Sequence, residues 1–143
     1  MRLTSFTDFG LRALMRMASE PGRAFSTAEL ADEFELSRHH LTKIMATLAQ
    51  AGIVITRRGG GGGARLGRPA EQISLGDIVR VLESDQALVN CFAADGGSCT
   101  ISPHCRLRTR LGSAEAAFLA ELDRSMLAEV ALPALAPASM PAP

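Results

Sequence analysis

Three cysteines are the residues whose type and spacing could do chemistry in this chain. Cys91, Cys99 and Cys105 are separated by seven and five residues. Thiolates are the preferred ligands of iron–sulfur clusters and of zinc, and three of them in one flexible segment can converge on a single metal centre. The spacing lacks the paired CxxC of a zinc ribbon, so zinc is less favoured. A four-iron cluster needs a fourth ligand, which must be another residue, water or a small molecule.

The alternative interpretation is that the three cysteines bind no metal and serve only as small packing residues. Such thiols are ordinarily buried on apolar helices, whereas these lie in a segment, 84–105, that is rich in Asp, Gly, Ser and Pro. The start of the chain lacks the apolar run of a signal peptide, and no window is long and apolar enough for a membrane span. We therefore expect a cytoplasmic protein without membrane contact, and an odd number of thiols in that reducing compartment argues against a disulfide framework.

Charge is distributed unevenly along the chain, although the formal net charge is zero. Residues 1–68 carry ten basic and six acidic side chains, and residues 69–143 carry five basic and nine acidic ones. The stretch 36–70 contains no acidic residue at all. A locally basic surface suits a polyanion such as DNA, while a solvated basic face with no partner is the alternative.

The apolar pattern predicts the elements that must position these groups. It predicts helices over 5–19, 26–34 and 38–50, followed by a strand at 53–56. Five glycines at 59–63 precede a returning strand at 64–66, which makes a hairpin, and a helix over 75–83 comes next. The long helix expected over 106–130 has a broad apolar surface, which indicates a partner helix and hence a homodimer.

The predicted fold class is mainly α with a small β wing: a winged helix-turn-helix with a long C-terminal dimerisation helix. Its divisions are the DNA-binding domain over 1–83, the cysteine-containing loop over 84–105, the dimerisation helix over 106–130 and a disordered Ala/Pro-rich tail over 131–143.

Two capped helices joined by a tight turn match a helix-turn-helix, whose second helix would enter the major groove of double-stranded DNA. The predicted DNA-binding residues at the start of that helix are Ser37, Arg38, His39, His40, Thr42 and Lys43. In the wing, Arg57, Arg58 and Arg65 would reach phosphates or a narrow minor groove. Because many such helix pairs bind no DNA, a metal-binding interaction module without DNA function is an alternative. An enzyme is not expected, since the sequence has no nucleotide loop, βαβ pattern or convincing nucleophile–base set.

Several motifs resemble the NsrR family of nitric-oxide-sensing iron–sulfur repressors, and in part the sister regulators IscR and RirA. The resemblance covers nearly the whole chain up to about residue 130. The motifs that carry it are MRLTSFTDFGLRAL at the start, SRHHL followed by Lys43 and Ile44, the glycine-rich wing with RLGRPA at 65–70, residues 73–83 with GDIVR, LVNC at 88–91, Cys99, and PHCRL at 103–107.

The resemblance implies a dimeric repressor that binds a palindromic operator. It implies a cluster held by Cys91, Cys99 and Cys105, with Asp8 of the other subunit as fourth ligand. Relatives of the IscR type use a histidine three residues beyond the last cysteine; this chain has Arg108 there, so the NsrR pattern is the one retained. A structural role for Asp8 in the first turn of its helix is the alternative. The first cysteine interval, with Gly96 and Gly97, is longer than is usual in the family.

The resemblance favours a four-iron over a two-iron cluster and nitric oxide as the signal. Because a carboxylate is a poorer ligand than a thiolate in such a cluster, one iron would be more labile. An iron-responsive or redox-responsive regulator of the same family is the alternative.

Overall fold

Helices and a hairpin follow one another in the order expected of a winged helix-turn-helix. The structure is a computed structural model that describes residues 2–60, 62–101 and 104–133. It is mainly helical with one small antiparallel sheet, which confirms the predicted fold class. The helices are Ser5–Ser19 (α1), Thr27–Glu33 (α2), Arg38–Gln50 (α3), Leu75–Leu82 (α4) and Arg106–Asp123 (α5), and the strands are Val54–Arg57 (β1) and Gly63–Leu66 (β2).

Side-chain caps fix where four of the helices begin. In each, a hydroxyl oxygen before the helix accepts a hydrogen bond from a backbone N–H of the first turn. These N–H groups have no partner within the helix, so the cap satisfies a donor that would otherwise be lost. The capping residues are Thr4, Ser26, Ser37 and Ser74.

The hairpin is fastened to the connection between α1 and α2. β1 pairs with β2 in antiparallel register, with Ile55 opposite Arg65. Beyond the hairpin, Phe25 exchanges two backbone hydrogen bonds with Ala64, at 2.9 and 2.7 Å. Gly63 has a φ of +124°, and a Cβ there would lie 2.7 Å from the Phe25 carbonyl oxygen. Only glycine fits this approach. The contact holds β2 to the helical body at its first two residues, next to the glycine turn.

The core lies where α1, α3 and α4 meet. Helix α1 comes so close to its neighbours at Gly10 that a Cβ there would lie 2.5 Å from Leu82 Cδ1 and 3.2 Å from Ile44 Cγ2. A small residue at this point lets the three helices pack directly against one another. Among the largest fully buried side chains are Leu14, Phe25, Leu30, Leu41, Ile44, Leu48, Ile53, Ile73, Ile78 and Leu127.

The long C-terminal helix is shorter than predicted. It ends at Asp123 instead of residue 130, so the predicted helix over 106–130 is wrong at its C-terminal end. The chain then turns and pairs with the segment before α4: Leu75 N–H donates to Ser125 O at 2.9 Å, and Leu127 N–H donates to Ile73 O at 2.8 Å. A short 3₁₀ turn, Leu127–Val130, follows.

Leu127 belongs to the same buried core as residues of α1, α3 and α4, and residues 131–133 continue from it. The N–H of Leu132 donates to Met15 O on α1 at 3.2 Å. The segment after α5 is therefore part of the winged helix. The rest of the tail predicted to be disordered, residues 134–143, lies outside the described residues.

An ion pair holds the end of α5 against α4. The two terminal guanidinium nitrogens of Arg80, Nη1 and Nη2, lie 2.6 Å from Asp123 Oδ1 and Oδ2 respectively. The hydrogen bond from Arg80 holds the pKa of Asp123 below its ordinary value, and Asp123 in turn raises the pKa of Arg80. A Cβ at Gly76 would collide with the Asp123 carboxylate, so glycine makes room for the pair.

The lowered pKa of Asp123 predicts an acid-dependent contribution to stability. Because the folded-state pKa lies below the unfolded one, the stabilisation is present at neutral pH and is lost as the pH falls below about 4. We expect Asp123→Asn to be less stable than the wild type at pH 7, with the gap narrowing toward pH 3. Urea unfolding at a series of pH values measures this, with Asp85→Asn as the control. A gap that does not change with pH would contradict the prediction.

Candidate DNA-binding surface and cysteine loop

Helix α3 presents a polar N-terminal end above a buried apolar face. Its inward residues are Leu41, Ile44, Met45 and Leu48. The turn from α2 passes through Glu35, at a φ of +54°, and closes when Leu36 N–H donates to Ala31 O at 2.8 Å. This tight turn leaves most of the predicted DNA-binding residues of the helix exposed: Ser37, Arg38, His39, Thr42 and Lys43.

Two of these residues already have partners within the chain. Arg38 lies 3.4 Å from Asp32 of α2, and both side chains are exposed. Such a pair contributes little to stability, so the guanidinium can exchange Asp32 for a phosphate at small cost. The Thr42 hydroxyl donates to Arg38 O at 2.7 Å, which leaves its oxygen free to accept.

His40 differs from the other predicted DNA-binding residues of α3. Its ring is half-buried against α1, with its centroid 5.8 Å from that of Phe6 and 5.6 Å from that of Phe9. The structure thus places the imidazole in an aromatic cluster, and its contact with DNA stays a prediction. The cluster escaped the sequence analysis, although His40 stands four residues before the buried Ile44 and therefore shares its side of the helix.

The wing carries its charge on the outside. Arg57, Arg58 and Arg65 are exposed, and within the part of the chain that the structure describes none of them makes an ion pair. At the tip, Gly62 N–H donates to Gly59 O at 2.8 Å. A Cβ at Gly62 would lie 2.5 Å from Arg57 O, so the turn is too tight for any larger residue. The result is a narrow, cationic hairpin.

Asp8 lies on the solvent side of α1, paired with Arg12. The two side chains are each 49% exposed and meet at 2.7 Å between Arg12 Nη2 and Asp8 Oδ2. The start of the same helix is tied to the end of α4, because Glu83 Oε1 accepts from Thr4 N at 2.7 Å and from Thr4 Oγ1 at 2.8 Å. Glu83 is also the last residue before the cysteine loop, so the base of the loop and the helix bearing Asp8 are fixed to each other.

The cysteine loop contains three free thiols. Cys91 and Cys105 are half-buried, and Cys99 is exposed. Cys105 stands at the position before α5, where aligned backbone dipoles favour a negative group. Three exposed arginines follow in the first turns of that helix: Arg106, Arg108 and Arg110. Positive side chains therefore follow Cys105 directly in the sequence.

The two glycines that lengthen the first cysteine interval fold the loop back on itself. Gly97 has a φ of +61°, and its N–H donates to Asp95 Oδ1 at 2.9 Å. A Cβ at Gly97 would collide with Asn90 O and would lie 3.2 Å from Cys91 N. Cys99 follows Gly97 by two residues, a span of at most about 7 Å. The turn thus brings the segment bearing Cys99 back to the backbone of Cys91.

The donor set fits an iron–sulfur cluster in its chemistry: three unpaired thiols in one loop and an exposed carboxylate on α1. Among residues 2–60, 62–101 and 104–133, no three His, Cys, Asp or Glu side chains are close enough together to hold a metal ion. The thiols must therefore move closer to one another to bind a cluster.

Helix α5 has little cover in the single chain. None of its eighteen residues is buried. Leu107 is 62% exposed, and Ile101 in the preceding loop is 64% exposed. Beside the helix is an open cavity of about 470 Å³, whose apolar lining includes Leu3, Val79, Leu88, Phe118 and Leu119. In the described residues, no helix is long and apolar enough to cross a membrane.

The chain is similar to one protein family model and to several solved structures of transcriptional regulators. A family model described as "Rrf2: Iron-dependent Transcriptional regulator" matches residues 3–132, a range that contains α1, the wing and all three cysteines. The oxidised form of CymR from Staphylococcus aureus is 28% identical, with a TM-score of 0.70 over 92% of this chain and 96% of that one. CymR (YrzC), the global cysteine regulator of B. subtilis, is 27% identical, with a TM-score of 0.67 over 92% and 96%. IscR from T. potens is 25% identical, with a TM-score of 0.68 over 90% and 85%.

Proposed function

The chain belongs to the Rrf2 family of transcriptional regulators, and from this premise we propose that it is a homodimeric repressor whose hold on DNA depends on an iron–sulfur cluster and is released by nitric oxide, as in the NsrR regulators it resembles. The observation that carries the proposal is the combination of three free thiols in one loop with an exposed Asp8 on α1. That helix packs directly against α3, the predicted recognition helix.

On the DNA side, α3 would lie in the major groove with Ser37, Arg38 and His39 toward the base edges. The wing would follow the phosphate backbone or the minor groove through Arg57, Arg58 and Arg65. Two recognition helices in a dimer read half-sites about 34 Å apart, which requires a palindromic operator. The exposed α5, with Leu107 and Phe118, is the surface through which we expect the two subunits to meet.

The wing arginines predict a specific salt dependence. We expect Arg58→Ala to weaken operator binding by about tenfold and to reduce the slope of log affinity against log salt by about 1, because one phosphate contact is lost. The affinity of the protein for DNA of unrelated sequence should fall by the same factor. Binding measured between 50 and 300 mM salt tests this, with Arg124→Ala, an exposed arginine outside the wing, as the matched control. An unchanged slope would remove Arg58 from the DNA interface.

On the cluster side, Cys91, Cys99 and Cys105 would hold three irons and Asp8 of the partner subunit the fourth, a four-iron arrangement that we favour over a two-iron one. When bound, the cluster supplies an iron that a carboxylate holds less firmly than a thiolate would, and nitric oxide can reach it. To act as a ligand, the Asp8 carboxylate would have to leave its ion pair with Arg12. Within each subunit, the hydrogen bonds between Thr4 and Glu83 tie α1 to the base of its own cysteine loop, while its Asp8 would reach the cluster of the partner.

The test uses protein prepared anaerobically and assayed for iron, labile sulfide and visible absorption. Its operator is first selected from random palindromic duplexes by mobility shift. We expect nitric oxide to weaken binding more than a hundredfold, which corresponds to about 3 kcal/mol of coupling. The triple variant Cys91→Ser, Cys99→Ser and Cys105→Ser should bind as weakly as the treated protein. Protein without iron or sulfide, or equal binding before and after nitric oxide, would overturn the proposal.

Regulation by iron or by oxidation is the second candidate, and the family description, which names iron dependence, favours it. Here the same thiols and DNA surface are retained, and only the signal changes. Parallel mobility shifts with nitric oxide, an iron chelator and oxygen separate the candidates, since only one treatment should act at low concentration. A visible absorption band without salt-dependent DNA affinity would instead indicate a metal-binding module that does not act on DNA.

A further inference from the structure

We propose that the His40 ring, packed against Phe6 and Phe9, is the positioning contact through which α1 sets the orientation of the recognition helix. The inference rests on the proposed function, because it concerns how a change at Asp8 reaches DNA. His40 is half-buried, whereas its neighbour His39 is exposed. Two adjacent histidines thus have different surroundings, and only His40 forms an aromatic contact with α1 among the described residues.

His40 connects α1 to the part of α3 that is expected to contact bases. Its backbone N–H donates to the capping oxygen of Ser37 at 3.3 Å, while its side chain lies against α1. Ser37, Arg38 and His39 belong to the same turn. Because the first turn of a helix moves as a unit with its cap, displacing the His40 ring displaces the groups that would face the major groove.

The contacts continue from His40 back to Asp8. Phe9 meets the His40 ring edge-on, with an angle of 79° between the ring planes. The Arg12 guanidinium lies 5.8 Å from the centre of the Phe9 ring and is paired with Asp8 at 2.7 Å. Asp8 and Phe9 are neighbours on α1, so a pull on Asp8 by the partner's cluster would be passed to Phe9 through the helix itself. A continuous series of contacts therefore runs from the predicted iron ligand to the cap of the recognition helix.

Packing on either side of this contact explains why it can transmit movement. One turn along α3, at Ile44, the helices touch so closely at Gly10 that a Cβ would lie 3.2 Å from Ile44 Cγ2. That point is buried and can act as a pivot. The aromatic contact lies nearer the N-termini of both helices and is only half-buried, so a tilt of α1 about Gly10 is felt at His40 and moves the start of α3.

Three variants test the proposal. His40→Ala removes the ring, His40→Phe keeps an aromatic ring, and His39→Ala is the matched control on the exposed neighbour. The measured quantity is the ratio of operator affinities between cluster-loaded and metal-free protein, with iron content and thermal midpoint recorded for each variant. We expect His40→Ala to reduce the wild-type ratio by at least about tenfold, and His40→Phe and His39→Ala to preserve it.

A second measurement needs no cluster. In metal-free protein, amide hydrogen exchange in the first turn of α3 should be faster in His40→Ala than in the wild type and unchanged in His39→Ala. If His40→Ala fails to fold, Phe9→Leu removes the same contact from the α1 side and takes its place. If cluster-loaded and metal-free wild-type protein bind the operator equally well, the proposed function fails and this inference fails with it. If the wild-type affinities differ and His40→Ala or Phe9→Leu retains the full difference, only the inference is overturned.

Discussion

Replacing Leu127 by alanine is expected to lower the free energy of unfolding by about 2–5 kcal/mol. Leu127 is fully buried, and its backbone N–H is bonded to Ile73 O at 2.8 Å. The truncation would leave a cavity between α1 and the segment before α4, and fixed backbone bonds would keep that cavity from closing. Urea unfolding followed by circular dichroism, at several protein concentrations, measures the loss.

Leu107→Ala is the matched control for this prediction. Leu107 lies in the same predicted long helix but is 62% exposed in the single chain. Any loss of stability there should depend on protein concentration, since it would come from contact with a second subunit, whereas the loss at Leu127 should not. A loss below about 1 kcal/mol at Leu127 would mean that the segment after α5 is not part of the core.

Leu127 and Leu107 show which features of the fold could be predicted from the sequence and which could not. Helix starts were predicted well because capping is local: Ser37 and its bond to the His40 N–H need only a few residues of chain. The end of α5 was missed because Leu127 leaves the helix to pair with Ile73, more than fifty residues earlier in the chain. Apolar spacing alone cannot distinguish a helix that continues from a strand-like segment that returns to the core.

In the candidate site, too, features set by local sequence could be predicted and features set by distant contacts could not. Exposure of Arg38, Lys43 and the wing arginines follows from their place on amphipathic elements and could be predicted. The mutual positions of Cys91, Cys99 and Cys105 could not, because they depend on a turn in which Gly97 packs against the backbone of Asn90, seven residues earlier. The role of Phe6 and Phe9 escaped notice because an aromatic residue on α1 looks the same whether it faces the core or His40.

Replacing Asp8 by alanine is the sharpest test of the proposed link between subunits through the cluster. We expect Asp8→Ala to weaken operator binding by cluster-loaded protein about a hundredfold and to leave the affinity of metal-free protein unchanged. The three thiols remain, so cluster content measured as iron and sulfide should stay close to the wild-type value. Asp85→Ala, an exposed acid at the start of the cysteine loop, is the matched control and should change neither affinity.

The size of the expected loss of operator affinity distinguishes a ligand role for Asp8 from a purely structural role in α1. In the chain alone, Asp8 makes an exposed pair with Arg12 four residues later. Such pairs on helices contribute about 0.3–0.5 kcal/mol, and an acid in the first turn adds about 0.3–1 kcal/mol through the helix dipole. Together these fall well short of a hundredfold change in affinity, and they would act equally with and without the cluster. A small loss of binding, equal in both forms of the protein, would therefore assign Asp8 to the stability of α1 and leave the fourth ligand to be found elsewhere.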